Sequence, residues 1–588
     1  MKINSLKIIF SLLSKREKVN FVFIIIIAII VSIIDLIGVG SIMPFISVVS
    51  NPNLINENKY LYYFYNHFNF SDQKTFIITL GILVLFFVII QNASHAILNY
   101  LKIRYTTMRR HSLSLRLFKI YLSQPYYYFL NKNSYDFNKN INTEIEILIN
   151  GTLTQLVDIT SYGIQILFLI IFLFFINPFS TLIISFSIIS IYAIVYFFIR
   201  RTLKKLGTDR YKLNTECNRI VNESFWGIKE VKIAGIESSL IKSYSLPSKQ
   251  LSFNLSKQEI ISDLPKYLLE TTAFSAIILI ILFMILKSQN IENVMVSVSV
   301  FAYAGYRLMP SIQKIFKAFS KFKYSIPASE RIFKEFNSII YNTPTNSFSN
   351  SEVLPFNHSI KIENIFYSYP QSSKYVLQNI SLTIKKNSII GIVGSTGSGK
   401  TTLIDIILGL LIPNKGRIYI DDIELNDGNI RSWQKNLGYV PQNIYLSNSS
   451  IAENVAFGLP KDAIDMDAVK KACHMAQIDS FIEEELPDKY NTYIGERGIK
   501  LSGGQRQRIG IARALYHNPS LLIFDEATAA LDMQTEQAVI DAINTIVGTK
   551  TIIMIAHRIS TLESCNMIYR LEKGKITEQG EYNELFKK

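Results

Sequence analysis

Six apolar runs within the first 340 residues constrain this chain more than any other feature. They cover approximately residues 21–45, 75–91, 154–176, 179–199, 268–286 and 295–312. Each approaches the roughly 17–25 residues that carry a helix across a bilayer. One such run is equally a soluble core helix. Six in one region, several almost free of charge, require a membrane domain. The first run has no small-residue cleavage site after it, so it is not a signal peptide. Pro44 is expected to bend its end.

Charge gives the orientation. Residues 341–588 carry 25 Lys/Arg against 27 Asp/Glu, whereas residues 1–340 carry 36 against 19. The whole net charge of +15 therefore belongs to the membrane part. Its basic residues concentrate in 1–18, 98–150 and 200–266, while the alternate loops hold only Lys59, Lys74 and Lys287. By the positive-inside rule both termini and the two long loops are cytoplasmic. Nucleic-acid binding is not needed to explain the charge. Cys217, Cys473 and Cys565 lie far apart, which excludes a disulfide scaffold and a cysteine metal site. The long loops are expected to be continuations of the membrane helices, because unstructured connections of that length are uncommon.

Residues 341–357, rich in Asn, Ser, Thr and Pro, read as a linker between a membrane domain (1–340) and a second domain (358–588). In the second domain short β-rich runs alternate with helical stretches, as in an α/β fold. Gly394-Ser-Thr-Gly-Ser-Gly-Lys400-Thr401 follows a strand-like run and opens an apolar helical one. That is the context of a phosphate-binding loop, whose backbone N–H groups surround phosphate oxygens at a helix start. Lys400 is suited to the β/γ-phosphates and Thr401 to Mg²⁺. The run Leu521-Leu-Ile-Phe-Asp525-Glu526 supplies two carboxylates at a strand end. Asp525 would hold the hydration shell of Mg²⁺, and Glu526 would polarise the attacking water.

Leu501-Ser-Gly-Gly-Gln505, together with these two motifs, makes the chain resemble an ATP-binding cassette (ABC) transporter of the exporter type. The resemblance covers essentially the whole chain. It implies an α-helical six-helix transmembrane domain plus an α/β P-loop nucleotide-binding domain. ATP and Mg²⁺ are its implied ligands. Catalysis falls to Glu526, Gln442 (in Tyr439-Val-Pro-Gln442) and the switch histidine His557. ATP binding falls to Tyr369, which would stack on adenine, to Gly394, Ser395, Thr396, Gly397, Ser398, Gly399, Lys400, Thr401 and Thr402, and to Lys500, Ser502, Gly503, Gly504, Gln505 and Asp532. Thr401, Gln442 and Asp525 are the implied Mg²⁺ ligands. Gly495-Glu496-Arg497-Gly498 resembles the loop that touches the opposite subunit's coupling helix. Residues 125–137 and Glu223-Ser-Phe-Trp-Gly227 lie where the family couples its two domains. Ala529-Ala-Leu-Asp532 departs from the family's usual SALD but keeps the Asp. One chain has one phosphate loop and one signature, so the resemblance implies a dimer, most simply of identical copies.

The transported substrate is less legible. The stretches Leu36-Ile-Gly-Val-Gly-Ser-Ile-Met-Pro44-Phe45 and Ala302-Tyr-Ala-Gly-Tyr-Arg307-Leu-Met-Pro310-Ser311 resemble the bacterial lipid-linked oligosaccharide flippases of protein glycosylation. The sixth run enters from outside near Glu292, and Arg307 lies 15 residues further, about 22 Å at 1.5 Å per residue, within the inner half of a core about 30 Å thick. Lys266 starts the preceding run from the cytoplasmic side. A buried cation is costly and marks a functional position; a guanidinium suits a pyrophosphate. The other use of such cations is a structural ion pair, with Glu270 or Asp35 as partner. Residues 59–70 (KYLYYFYNHFNF) form an external aromatic segment, either an interfacial anchor or a guide for a polyprenyl tail. These readings place the protein in the bacterial cytoplasmic membrane, in contact with lipid and with a polyprenyl-pyrophosphate-linked sugar. A peptide, lipid or drug exporter and a non-transporting sensor or scaffold are the rivals.

Overall fold

The structure is a computed structural model and describes residues 5–70, 72–130, 132–176, 178–286, 291–337, 352–370, 372, 374–495, 498–525, 537, 547–555 and 562–586. It divides into two compact units, Met1–Gln124 with Lys132–Ile340, and Pro125–Asn131 with Tyr341–Lys588.

The first unit is helical. Its long elements are α1 (Lys15–Ser50), α3 (Gln73–Leu122), α4 (Thr154–Ile176), α5 (Pro178–Trp226), α6 (Glu237–Leu286) and α7 (Ile291–Asn337), with the short α2 (Lys59–His67) between α1 and α3. At 1.5 Å per residue a 50-residue helix such as α3 is about 75 Å long, far beyond the hydrocarbon core. Helices of this length extend well past the hydrocarbon core. Four described helical stretches are apolar and long enough to cross a membrane: Lys15–Ser50, Gln73–Leu122, Ser134–Ile176 and Ser185–Trp226. The fifth and sixth runs belong to α6 and α7; most side chains of the fifth and those of 295–301 in the sixth lie outside the described residues.

Pro44 does not end its helix. Helix α1 continues through it to Ser50. A proline removes one ladder bond, and the turns beyond are held by burial of Val48 against Ile55 and Phe76. The start of α1 is fixed by a capping box: Ser14 Oγ accepts from Glu17 N at 3.3 Å, and Ser14 N donates to Glu17 Oε2 at 2.8 Å. Helices α5 and α7 come close at Gly207, where a Cβ would lie 2.0 Å from the carbonyl oxygen of Tyr324.

The second unit is built on two sheets. The larger has the order β10 (Lys575–Gly580), β9 (Met567–Glu572), β3 (Ile389–Val393), β8 (Thr551–Ile555), β7 (Leu521–Asp525), β6 (Leu437–Val440). Strands β9, β3, β8, β7 and β6 run parallel, and β10 is antiparallel. Strands β7 and β8 are buried along their whole length, which is why they read as unbroken apolar runs. The smaller sheet is antiparallel, β2 (Leu377–Lys385), β1 (Ser359–Tyr367), β4 (Lys415–Ile420), β5 (Ile423–Glu424). Its inner face, with Ile360, Ile362, Ile380 and Ile384, packs in one cluster with Ile390, Ile392 and Leu403 of the larger sheet's layer. This parallel sheet sets the carboxyl ends of β3 and β7 close to each other, and both lead into the motifs read from the sequence.

Candidate ATP site and intramembrane cation site

In the second unit β3 delivers the chain into the loop 394–399, followed by α8 (Lys400–Ile407). Gly397 and Gly399 have φ of +80° and +105°, and a Cβ on Gly399 would meet Leu377 at 2.7 Å. Only glycine allows this turn. Lys400 is buried and folds its ammonium over the loop, donating to the carbonyls of Gly394 at 2.8 Å and Ser395 at 3.1 Å. The Ser398 hydroxyl is buried without a hydrogen-bond partner among the described residues. A bare helix start, an ammonium and an unspent hydroxyl suit phosphate oxygens.

Strand β7, between β6 and β8, carries Asp525 at its end, buried to 8% exposure. Tyr439 of β6 donates its hydroxyl to Asp525 Oδ2 at 3.2 Å. Burial, then the Asp525 charge, pushes the Asp405 carboxyl up to about 6. Burial and Asp525 likewise raise the Tyr439 phenol. Acidic groups driven toward their neutral forms mark a place short of positive charge. Mg²⁺ fits that donor set: Asp525, the Thr401 hydroxyl and the exposed Gln442 carboxamide would hold it with phosphate oxygens and water. A cation there would neutralise charge that develops on phosphate oxygens. Tyr369, placed on adenine by resemblance, bonds through its hydroxyl to Thr402 Oγ1 at 3.1 Å. It thus borders the phosphate-loop helix.

The signature forms a helix start. Ser502 caps α9 (Gly503–Leu515), its hydroxyl accepting from Gln505 N at 3.2 Å, while Ser502 N donates to Gln505 Oε1 at 2.8 Å. Ser502 and Gly503 are exposed, so the positive end of α9 faces outward from its own unit. Lys500 donates to the Tyr493 carbonyl at 3.3 Å. Glu526, Asp532, His557, Glu496 and Arg497 lie outside the described residues.

In the first unit, Arg307 of α7 meets neutral partners. Its Nη2 donates to Gln91 Oε1 at 2.9 Å and to the Tyr303 hydroxyl at 3.3 Å, and its Nη1 to Asn92 Oδ1 at 3.4 Å. Neither expected ion-pair partner serves it. Asp35, 1% exposed, accepts from Gln91 Nε2 and Gln165 Nε2, both at 2.8 Å, and lies 2.8 Å from His95 Nε2. Glu270 accepts from Gln313 at 3.3 Å and lies 4.0 Å from Lys266. No carboxylate is within ion-pair distance of Arg307 among the described residues. Lys266 has Glu270 one helical turn away and is about half exposed, so it is the weaker substrate candidate. Sequence reading missed Gln91, His95 and Gln165, which build this polar cluster. The available signal was His95 and Lys102, polar residues seven apart on one face of α3.

Comparison with known proteins bears on both units. An ABC transporter family model matches residues 377–529, and an ABC transporter transmembrane region model matches residues 19–310. The Alpha-hemolysin translocation ATP-binding protein HlyB of Escherichia coli is 31% identical over 537 residues, covering 88% of this chain and 72% of that protein. The chain belongs to the ABC transporters. An ATP-dependent lipid A-core flippase of Ralstonia nicotianae is 28% identical over 476 residues, 81% of this transporter and 79% of the relative. The fold is also that of a bacterial Atm1-family ABC exporter with ATP bound, at TM-score 0.74, 23% identity, and coverage of 97% and 96%. The transporter is therefore an exporter-type, multi-pass protein of the bacterial cytoplasmic membrane with a cytoplasmic ATP-binding domain, and an ATPase coupled to transport. Half-transporters of this family generally dimerise.

Proposed function

We propose that this transporter flips a polyprenyl-pyrophosphate-linked oligosaccharide from the inner to the outer leaflet. The observation that carries the reading is Arg307, an intramembrane cation held by Gln91, Asn92 and Tyr303, with no acid within ion-pair distance among the described residues. A guanidinium in low dielectric demands an anion, and a pyrophosphate head group supplies one bidentately. Lys266 would meet the head group second, after releasing Glu270. Exposed Tyr60, Tyr62, Tyr63 and Phe64 on α2 would steer the apolar tail at the outer face.

Two copies would act together, the α9 helix start of each capping the γ-phosphate held by the phosphate loop of the other. Glu526 would polarise the attacking water and His557 would contact the γ-phosphate. Closure of the two cassettes and their separation after hydrolysis would alternate the access of the helix bundle.

The test is flipping in proteoliposomes with a panel of lipid-linked sugars, other lipids and peptides, and Glu526→Gln as the inactive control. Arg307→Ala should lose substrate-stimulated transport and keep basal ATPase activity. Normal flipping by that variant would sink the reading. An apolar cavity of about 450 Å³ in the helical unit, with Ile170, Tyr192, Tyr196, Leu308 and Phe316 in its lining, favours a second reading. On it the cargo is a peptide or apolar lipid, and peptides rather than lipid-linked sugars would stimulate the ATPase irrespective of Arg307.

A further inference from the structure

Between α1, α3 and α4 of the helical unit lies a second, much smaller space of about 20 Å³. Its polar lining includes His95, Asn99, Lys102, Ser161, Tyr162 and Gln165. Ser161 is 4% exposed, and its hydroxyl has no hydrogen-bond partner among the described residues. An orphaned hydroxyl in a membrane interior costs free energy unless water reaches it. A space of this size accommodates one water molecule, provided two to four polar groups face it.

Two acid–base contacts flank the space. His95 lies 2.8 Å from Asp35, and Lys102 lies 2.5 Å from Asp158. The Asp35 contact uses His95 Nε2, leaving Nδ1 as the ring's other polar atom. Lys102 also stands 4.3 Å over the Tyr162 ring, whose other cation is Lys314 of α7 at 4.8 Å. Arg307 reaches the group indirectly, through Gln91 and Asp35.

We propose that this space is a built site for a single water molecule, through which the His95–Asp35 and Lys102–Asp158 pairs form one hydrogen-bonded chain across three membrane helices. Ser161 anchors the water, and His95 Nδ1 and the Lys102 ammonium are its partners on α3. The site stands whatever the cargo is, because neither the water nor its partners belong to the head-group reading.

Brief X-ray radiolysis of the full-length protein in lipid nanodiscs, read by mass spectrometry, oxidises side chains beside ordered internal water. Leu98 lines the space, and Leu169, fully buried on α4, is its chemical match. Oxidation of Leu98 should exceed that of Leu169 several-fold and fall to the Leu169 level in Ser161→Val, whose methyl groups fill the space. Equal oxidation of the two leucines in the wild type overturns the proposal. So does an undiminished Leu98 signal in folded Ser161→Val. Should that variant not fold, Ser161→Ala takes its place: loss of the signal is expected, and its persistence overturns the proposal.

Discussion

The guanidinium of Arg307 donates to the carboxamide oxygen of Gln91 at 2.9 Å, and the nitrogen of that carboxamide is spent on Asp35. Gln91 therefore joins a cation to an acid without letting them neutralise each other. It is fully buried, and a Cβ on Gly38 would lie 2.8 Å from its oxygen. Gln91→Glu places a carboxylate against the guanidinium. Stimulation of the ATPase by a lipid-linked pyrophosphate should then drop to the basal level, with the basal rate within about twofold of wild type, a free-energy change of ~0.4 kcal/mol. Gly38→Ala should displace Gln91 and cost about 1–3 kcal/mol of stability. Retained stimulation in Gln91→Glu would show that the Arg307 charge is not what the substrate meets.

Two serines of the cassette cap helices in the same manner, but Ser450 is buried and Ser502 is exposed. Ser450 caps the helix Ile451–Val455 through Glu453, and Ser502 caps α9 through Gln505. Replacing either by alanine should cost about 1 kcal/mol, measured by chemical denaturation. Only Ser502→Ala should also lose ATP hydrolysis, because only that helix start is assigned to the partner's γ-phosphate. Equal ATPase loss in both variants would reduce the effect to folding.

Burial pushes the Cys473 and Cys565 thiols up to about 12. Both are buried, at 0% and 7% exposure. The folded-state values lie above those of the unfolded chain, so their contribution to stability is complete below about pH 8.5. It is lost as pH rises toward 12. The cassette should thus unfold at progressively lower denaturant between about pH 9 and 11, and a Cys473→Ala, Cys565→Ala variant should show a shallower slope. Maleimide at pH 8 should leave both thiols unlabelled until the protein is denatured.

Arg210 and Glu144 form a buried pair at 3.0 Å, with side chains 7% and 0% exposed. Removing one partner strands a charge. Arg210→Met should destabilise the protein by about 3–5 kcal/mol, while Arg210→Met with Glu144→Leu should recover much of that loss. Thermal unfolding of the four proteins in the cycle measures the difference. A double variant no more stable than Arg210→Met would assign the cost to lost packing.

Much of the cassette was legible because its chemistry is local. A glycine loop between a buried strand and a helix, or a serine three residues before a glutamine at a helix start, needs only neighbouring residues to specify it. Strand β7 and Asp525 were readable for the same reason. Tyr439 beside Asp525 was not, because residues 86 apart in the chain meet only when β6 and β7 pair. Pro44 was read as bending the helix end; that the helix runs on to Ser50 was not legible, because it depends on burial of Val48 against Ile55 and Phe76.

The sequence by itself determined that the chain crosses a membrane and where a glycine loop opens a helix, and it set the expected side of each loop. These follow from apolar length, from the bias of Lys and Arg, and from backbone demands within a few residues. Only the tertiary structure decided the partners of the intramembrane charges. Asp35, Gln91, His95, Gln165 and Arg307 come from four different helices, and nothing local says which acid a cation will find. Packing gave Asp35 to His95 and two glutamines, and left Arg307 among neutral groups. In a medium of low dielectric, that allocation separates an acid already satisfied by its neighbours from a cation that can meet an anion.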